Sequence, residues 1–340
     1  MQRRGFLWLA GATVVLVIVA IVAIGRRDGA SAPAELNRLV LPDLGTKMRD
    51  LAWIRLSHGD AKTDFAEVGG QWTVVEKGNY PAAAAKVRQM LLGLADLTLV
   101  EPKTARPELF SRLGLDDPKT GNSTLVRLQD RTGATVAELI VGRQRYDRFG
   151  GGNDGLYVRL PGENRTWLAR GSLNVSGEAL DWLDRHILDL PQQRVASVQL
   201  TDETGTTLTL KRTAADAPFA VEGAPDGTKF RPPPVVAEPA GALHDLEFVD
   251  VKPATDLAMP EQGVAKAVYS TFDGLTVTVR LLHRDDADWV AIAGAGDGPA
   301  AAEAKGLNDR LARWGYAIPA TQANTMRRKL ADFVESPKGS

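Results

Sequence analysis

The chain has 340 residues, 41 basic and 42 acidic side chains, a net charge of −1 and no cysteine. Without cysteine there are no disulfide staples, thiolate metal sites or cysteine nucleophiles, and the near-neutral balance argues against a nucleic-acid binder working through a basic face. A charged fraction of 24% beside 44% hydrophobic residues is the composition of a folded protein.

The first 27 residues stand apart. They hold Arg3, Arg4, Arg26 and Arg27 and no acid, so the remainder carries 37 basic against 42 acidic residues, a net −5. Between the arginine pairs, residues 6–24 form an uncharged run of 19 residues. As a helix it would be about 28 Å long, close to the hydrocarbon thickness of a bilayer. The run is predicted to be a transmembrane helix, with Phe6, Leu7, Trp8, Val14, Leu16, Ile18, Ile21 and Ile24 as its anchor residues. It is longer than the apolar stretch of a cleaved signal peptide. Arg3-Arg4-Gly5-Phe6-Leu7 also resembles a twin-arginine export signal, and both readings place the body outside the cytoplasm. The amino terminus with Arg3 and Arg4 outweighs Arg26 and Arg27 offset by Asp28, which puts the N-terminus inside. Residues 28–50, rich in small side chains and containing Pro33 and Pro42, read as a tether.

The body compares with itself. Ala52-Trp53-Ile54-Arg55-Leu56, followed by Gly70-Gln71-Trp72, is echoed by Val195-Ala196-Ser197-Val198-Gln199-Leu200 and Pro218-Phe219-Ala220-Val221-Glu222. Leu94-Ala95-Asp96-Leu97 leading to Pro102-Lys103 is echoed by Leu243-His244-Asp245-Leu246 leading to Lys252-Pro253. Trp53 set on Val198 gives an offset of 145, and Leu94 set on Leu243 gives 149. A period this long means duplicated domains, here 51–192 and 193–340.

Alternating runs at 53–57, 124–128, 136–141 and 156–160 predict antiparallel strands. Ala83, Val87, Met90 and Leu94 recur on one helical face after Asn79. In the second unit the matching stretch holds Pro232, Pro233, Pro234 and Pro239, which predicts a short or distorted helix. Further helices are predicted over 173–190, 302–314 and 321–334. The expected fold class is α+β: an N-terminal transmembrane helix followed by two tandem related units of mostly antiparallel sheet packed with helices.

Residues 150–155 satisfy G-x-G-x-x-G, which cradles a pyrophosphate only when a strand precedes it and a helix opens at its end. The alternating strand that follows makes this a hairpin loop instead, with Gly150, Gly151, Gly152, Asn153 and Asp154 as a candidate partner-binding tip. His58 with Asp60, His244 with Asp245, and His283 with Asp285 and Asp286 lie beside turns and match no catalytic spacing, so they read as solvated histidines. His186 reads as a helix residue. The tryptophans at 53, 72, 167, 182, 289 and 314 are spread along the body and read as core. No catalytic, metal or cofactor residues are expected.

The order of pieces resembles a bacterial family of unknown function, the DUF4340 domain proteins. The resemblance rests on the apolar leader, the Trp53 strand, Gly70-Gln71-Trp72, Leu91-Leu92-Gly93-Leu94 and Phe110-Ser111-Arg112-Leu113-Gly114-Leu115-Asp116-Asp117-Pro118. It continues through Val141-Gly142, Tyr157-Val158-Arg159 and Arg313-Trp314-Gly315-Tyr316. It implies an accessory component of an ABC-type transport system. The expectation is thus a single-pass protein of the bacterial inner membrane with a periplasmic body. It would act not as an enzyme but as an interaction module on a membrane partner such as a transporter permease, with no nucleic acid and no cofactor. The alternative is an extracytoplasmic cell-envelope enzyme or ligand-binding protein with its site between the two units.

Overall fold

The computed structural model describes residues 36–150 and 154–335. Phe6, Leu7, Trp8, Val14, Leu16, Ile18, Ile21 and Ile24 of the apolar run, and Gly151, Gly152 and Asn153 of the glycine run, lie outside the described residues.

After two short helical turns at Leu44–Lys47 and Met48–Asp50 come strands β1 (Leu51–His58), β2 (Ala61–Val68), β3 (Gln71–Val74) and β4 (Tyr80–Pro81), followed by helix α1 (Ala84–Asp96). Next come β5 (Thr98–Pro102), two short helical turns across Pro107–Leu109 and Phe110–Leu113, then β6 (Thr124–Asp130), β7 (Thr135–Arg145), β8 (Gly155–Arg159) and β9 (Thr166–Arg170). The chain continues through β10 (His186–Leu188), β11 (Val195–Thr201), β12 (Thr207–Lys211), β13 (Ala220–Glu222), α2 (Pro233–Ala237), β14 (Leu246–Glu247) and β15 (Asp250–Pro253). After a helical turn at Ala254–Leu257 it closes with β16 (Ala265–Thr271), β17 (Leu275–Arg284), β18 (Ala287–Gly296), α3 (Pro299–Leu311), β19 (Trp314–Ile318) and α4 (Ala320–Met326).

These strands build a sheet of order β4-β3-β2-β1-β6-β7-β8-β9-β5, a second of order β13-β12-β11-β16-β17-β18-β19-β15, and a two-stranded pair β10-β14. Leaving out β4, the second order is the first with ten added to every strand number. The likeness reaches the register. β1 is bulged between Leu51 and Trp53 against β6, and β11 is bulged between Val195 and Ser197 against β16. Beyond the bulge Ile54 faces Leu128 and Val198 faces Tyr269, so Ile54 answers Val198 at an offset of 144. The sequence alignment that set Trp53 on Val198 is therefore one residue out of step, and in a strand one residue exchanges the two faces.

The described residues correct the expected fold class. They form mostly antiparallel sheet, in three sheets, and none of their helices is long and apolar enough to cross a membrane. The stretch 173–190 is not a helix either. Leu180, Leu183 and Ile187 have helical spacing, but Leu183 is extended (φ −96°, ψ 153°) and bridged to Ala82, and His186–Leu188 pairs with β14. Backbone hydrogen bonds offered by neighbouring strands override a weak helical pattern. The helix expected over 302–314 ends at Leu311, and that expected over 321–334 stops at Met326.

By packing, the chain falls into two compact units. One joins the described residues up to Asp64 with Ala85–Gly177, the other joins Phe65–Ala84 with the described residues from Glu178 on. In the first, α1 buries Val87, Met90, Leu91 and Leu94, which include three of the residues that its apolar spacing selects. In the second, Tyr80 stacks edge-on against Trp314 (4.8 Å) and Phe248 (5.5 Å), while Lys77 pairs with Asp250 at 2.6 Å.

Candidate functional site

The signature Leu113-Gly114-Leu115-Asp116-Asp117-Pro118 is the natural first candidate, and its geometry is that of a packing device. The helical turn at Phe110–Leu113 ends on Gly114, whose φ of 66° is the left-handed conformation that glycine adopts freely. That turn drops Leu115 into a small cluster with Phe110 and Ile140, and Arg159 lies over the Phe110 ring at 4.7 Å. The next residues tie the loop shut. Asp116 accepts the Asn122 amide at 3.0 Å through its carboxylate and the Ser123 hydroxyl at 2.7 Å through its carbonyl, while the Asp117 carboxylate accepts the Lys119 amide at 2.9 Å. Opposite, Gly142 on β7 sits so close that an added Cβ would meet the Leu113 carbonyl oxygen at 2.5 Å. The pairing of Leu113-Gly114 with Val141-Gly142 in the sequence is thus a close approach of two backbones, with both carboxylates engaged in the loop.

The candidate tip is the β7–β8 hairpin. Of its residues, Gly150 and Asp154 are described. Gly150 has φ 73°, and Asp154 stiffens the turn by accepting the Asp147 amide at 2.8 Å and the Gln144 side chain at 3.3 Å. Ahead of the glycines stands a cluster that sequence reasoning passed over. Tyr146 is 80% exposed, and Arg143, Arg145 and Arg148 are exposed around it. Among the described residues none of these three arginines has an ion-pair or hydrogen-bond partner. Phe149 differs, since the Arg170 guanidinium covers its ring at 4.9 Å. The signal that could have found the cluster is the run Arg143-Gln144-Arg145-Tyr146-Asp147-Arg148, three arginines and a tyrosine in a body of net negative charge.

The histidines do not meet the acids adjacent to them in sequence. His58 Nδ1 lies 3.1 Å from the Ser123 carbonyl rather than against Asp60. His283 Nδ1 is 2.9 Å from Asp288, not Asp285 or Asp286, and Asp288 also receives Arg327 at 2.5 Å. Burial raises the Asp288 carboxyl, but its hydrogen bonds from His283 and Arg327 outweigh that and leave it below the ordinary carboxylate range. His186 and His244 converge with two aspartates. His244 Nδ1 is 2.7 Å from Asp189, whose carboxylate also accepts the Asp245 amide at 3.0 Å, and His186 Nδ1 is 3.4 Å from Asp245. The Asp245 amide first, then the His244 ring, hold the Asp189 carboxyl low. Beside them runs an open groove of about 390 Å³ lined by His186, Asp189, Glu303 and Arg310 over Leu188 and Val277. Among the described residues no group of three or more His, Asp or Glu is placed to hold a metal ion.

The tryptophans divide. Trp167, Trp182 and Trp289 are buried, whereas Trp53 is 45% exposed, because Ile54 and Leu56 take the inner face of β1 and leave the odd positions outside.

No curated protein and no solved structure matches this chain. A domain of unknown function, DUF4340, matches residues 72–264, more than half of the chain. The match opens in β3, takes in α1, the signature loop and the arginine–tyrosine hairpin, and closes just before β16. The chain therefore belongs to the DUF4340 family.

Proposed function

We propose that this protein is an extracytoplasmic interaction module, held at a bacterial inner membrane by the apolar run 6–24 and serving as an auxiliary component of an ABC-type transport system. The observation that carries the binding role is the β7–β8 hairpin. It displays Tyr146 and unpaired arginines on a turn braced by Asp154, and tyrosine and arginine are the side chains that dominate protein–protein contacts. The membrane placement rests on the uncharged run between arginine pairs, and the transporter association on the family resemblance. Tethering would raise the local concentration of the body near its partner without any added contact.

Deleting residues 1–27 tests the placement. The expected result is a folded protein, judged by circular dichroism, that leaves the membrane fraction. Membrane retention of the deletion speaks against it.

A second reading, a cell-envelope ligand-binding protein, is favoured by the convergence of His186, Asp189, His244 and Asp245 beside the 390 Å³ groove. On that reading, replacing His186 and His244 together by alanine abolishes the cellular phenotype. Under the interaction-module reading the phenotype persists.

A further inference from the structure

We propose that the β7–β8 tip docks on an acidic protein surface, with Arg145 and Arg148 gripping partner carboxylates around a central Tyr146. The inference rests on the interaction-module reading and names the chemistry of the partner face.

The chain bears a net charge of −1, and −5 outside its first 27 residues, so an isolated basic point on it is a departure from the background. Some arginines elsewhere are held by acidic partners. Arg55 pairs with Asp64, and Arg194 with Asp273 and Glu303. On the tip, Arg143, Arg145 and Arg148 have none among the described residues. Asp154 is occupied by the Asp147 amide and Gln144, and Gln144 in turn reaches the Ser172 hydroxyl at 2.5 Å. Arg143 and Arg145 lie two residues apart on β7 and share an outward face, about 6.6 Å apart along the strand. The planar guanidinium fork of an arginine takes a carboxylate in bidentate fashion.

The described residues on either side of the glycines are also braced. Asp147 holds φ 47°, its amide is bonded to Asp154, and the Gly171 amide donates to the Asp154 carbonyl at 3.0 Å. Bracing of the displaying segment reduces the ordering cost of association.

An anionic lipid surface is the rival occupant for basic side chains. Stable seating in a bilayer takes an apolar wedge beside the charges. Here Phe149, the apolar side chain next in line, is covered by Arg170, and Tyr146 alone is left. The observations favour a protein.

The test uses the full chain in native membranes with a photoreactive benzoyl-phenylalanine in place of Tyr146. Irradiation is expected to give one discrete protein adduct, mapped by mass spectrometry to a peptide rich in Asp and Glu. Arg145→Glu with Arg148→Glu should lower its yield about tenfold, whereas Arg145→Lys with Arg148→Lys keeps most of it. Reversing the mapped partner acids to lysine should restore the yield with the glutamate pair. Adducts to lipid alone, no adduct at 146, or a yield indifferent to charge reversal each overturn the proposal. The same probe at exposed Leu92 and Phe272 distinguishes the tip from the rest of the body as a binding surface. Adducts there but none at 146 sink the tip and spare the interaction module, and adducts at none of the positions sink both.

Discussion

The two large sheets share one strand order, β4 aside, yet are accompanied by helices of opposite character. In the first, the helix stands before β5: α1 buries Val87, Met90, Leu91 and Leu94, three of them long side chains. In the second, the corresponding stretch carries three consecutive prolines and yields only the five residues of α2. The long helix appears instead between β18 and β19. α3 buries Ala300, Ala304 and Leu311 and comes close enough that a Cβ on Gly296 would meet the Ala300 carbonyl oxygen at 2.9 Å. Asn308 completes the contact, its amide donating to the Gly294 carbonyl and its oxygen accepting the Gly294 amide, both at 2.8 Å. One topology thus tolerates either a thick layer of leucine and methionine or a thin layer of alanine on glycine. What is preserved is the pairing of strands, including the bulge after Leu51 and after Val195. Bulges re-aim a strand and fix which side chains face inward, so keeping them keeps the core.

The comparison can be broken most forcefully where a large side chain fills the thick layer. Leu94→Ala opens a cavity at a fully buried site and is expected to cost about 2–5 kcal/mol in denaturant unfolding. The thin layer fails in the opposite sense. Gly296→Val drives branched bulk into the Ala300 backbone and is expected to cost about 1–3 kcal/mol. Asn308→Ala leaves the Gly294 amide and carbonyl without their partner, for a loss of about 1–3 kcal/mol. If Asn308→Ala proves neutral, the close approach is held by alanine packing alone.

Asp288 sharpens the account through pH. Its folded-state pKa lies below the unfolded value, so its ion pairs stabilise the fold above the ordinary carboxylate pKa and lose that contribution as pH falls through the lowered one. The stability gap between the parent and Asp288→Asn should be constant near neutrality and shrink below about pH 4, where the unfolded carboxyl begins to protonate. A gap that widens on acidification contradicts the pairing with Arg327 and His283. The smallest effect belongs to the surface of α3, where Lys305 and Asp309 pair at 2.5 Å one turn apart, both exposed. Lys305→Ala should move stability by no more than about 0.5 kcal/mol.

Local pattern made the strands legible. Alternation at 124–128 and 136–141 marks β6 and β7, and the spacing of Val87, Met90 and Leu94 marks α1. What stayed hidden depends on partners distant in sequence. His186–Leu188 is extended because β14 lies beside it, and His244 finds Asp189 across 55 residues, a pairing that no spacing rule encodes. Trp53 was legible in principle: Ile54 and Leu56 claim the inner face, and parity places the tryptophan outside. The glycine run marks the β7–β8 turn, but the exposed Tyr146 and the arginines around it stand just before that run and match no motif.

The central claim is that this chain works by holding a partner rather than by turning over a substrate. Chemical crosslinking of the full-length protein in native membranes, read by mass spectrometry, tests it most directly. The account predicts crosslinks to a second membrane protein. Recovery of the chain from membranes with links only within itself would contradict it.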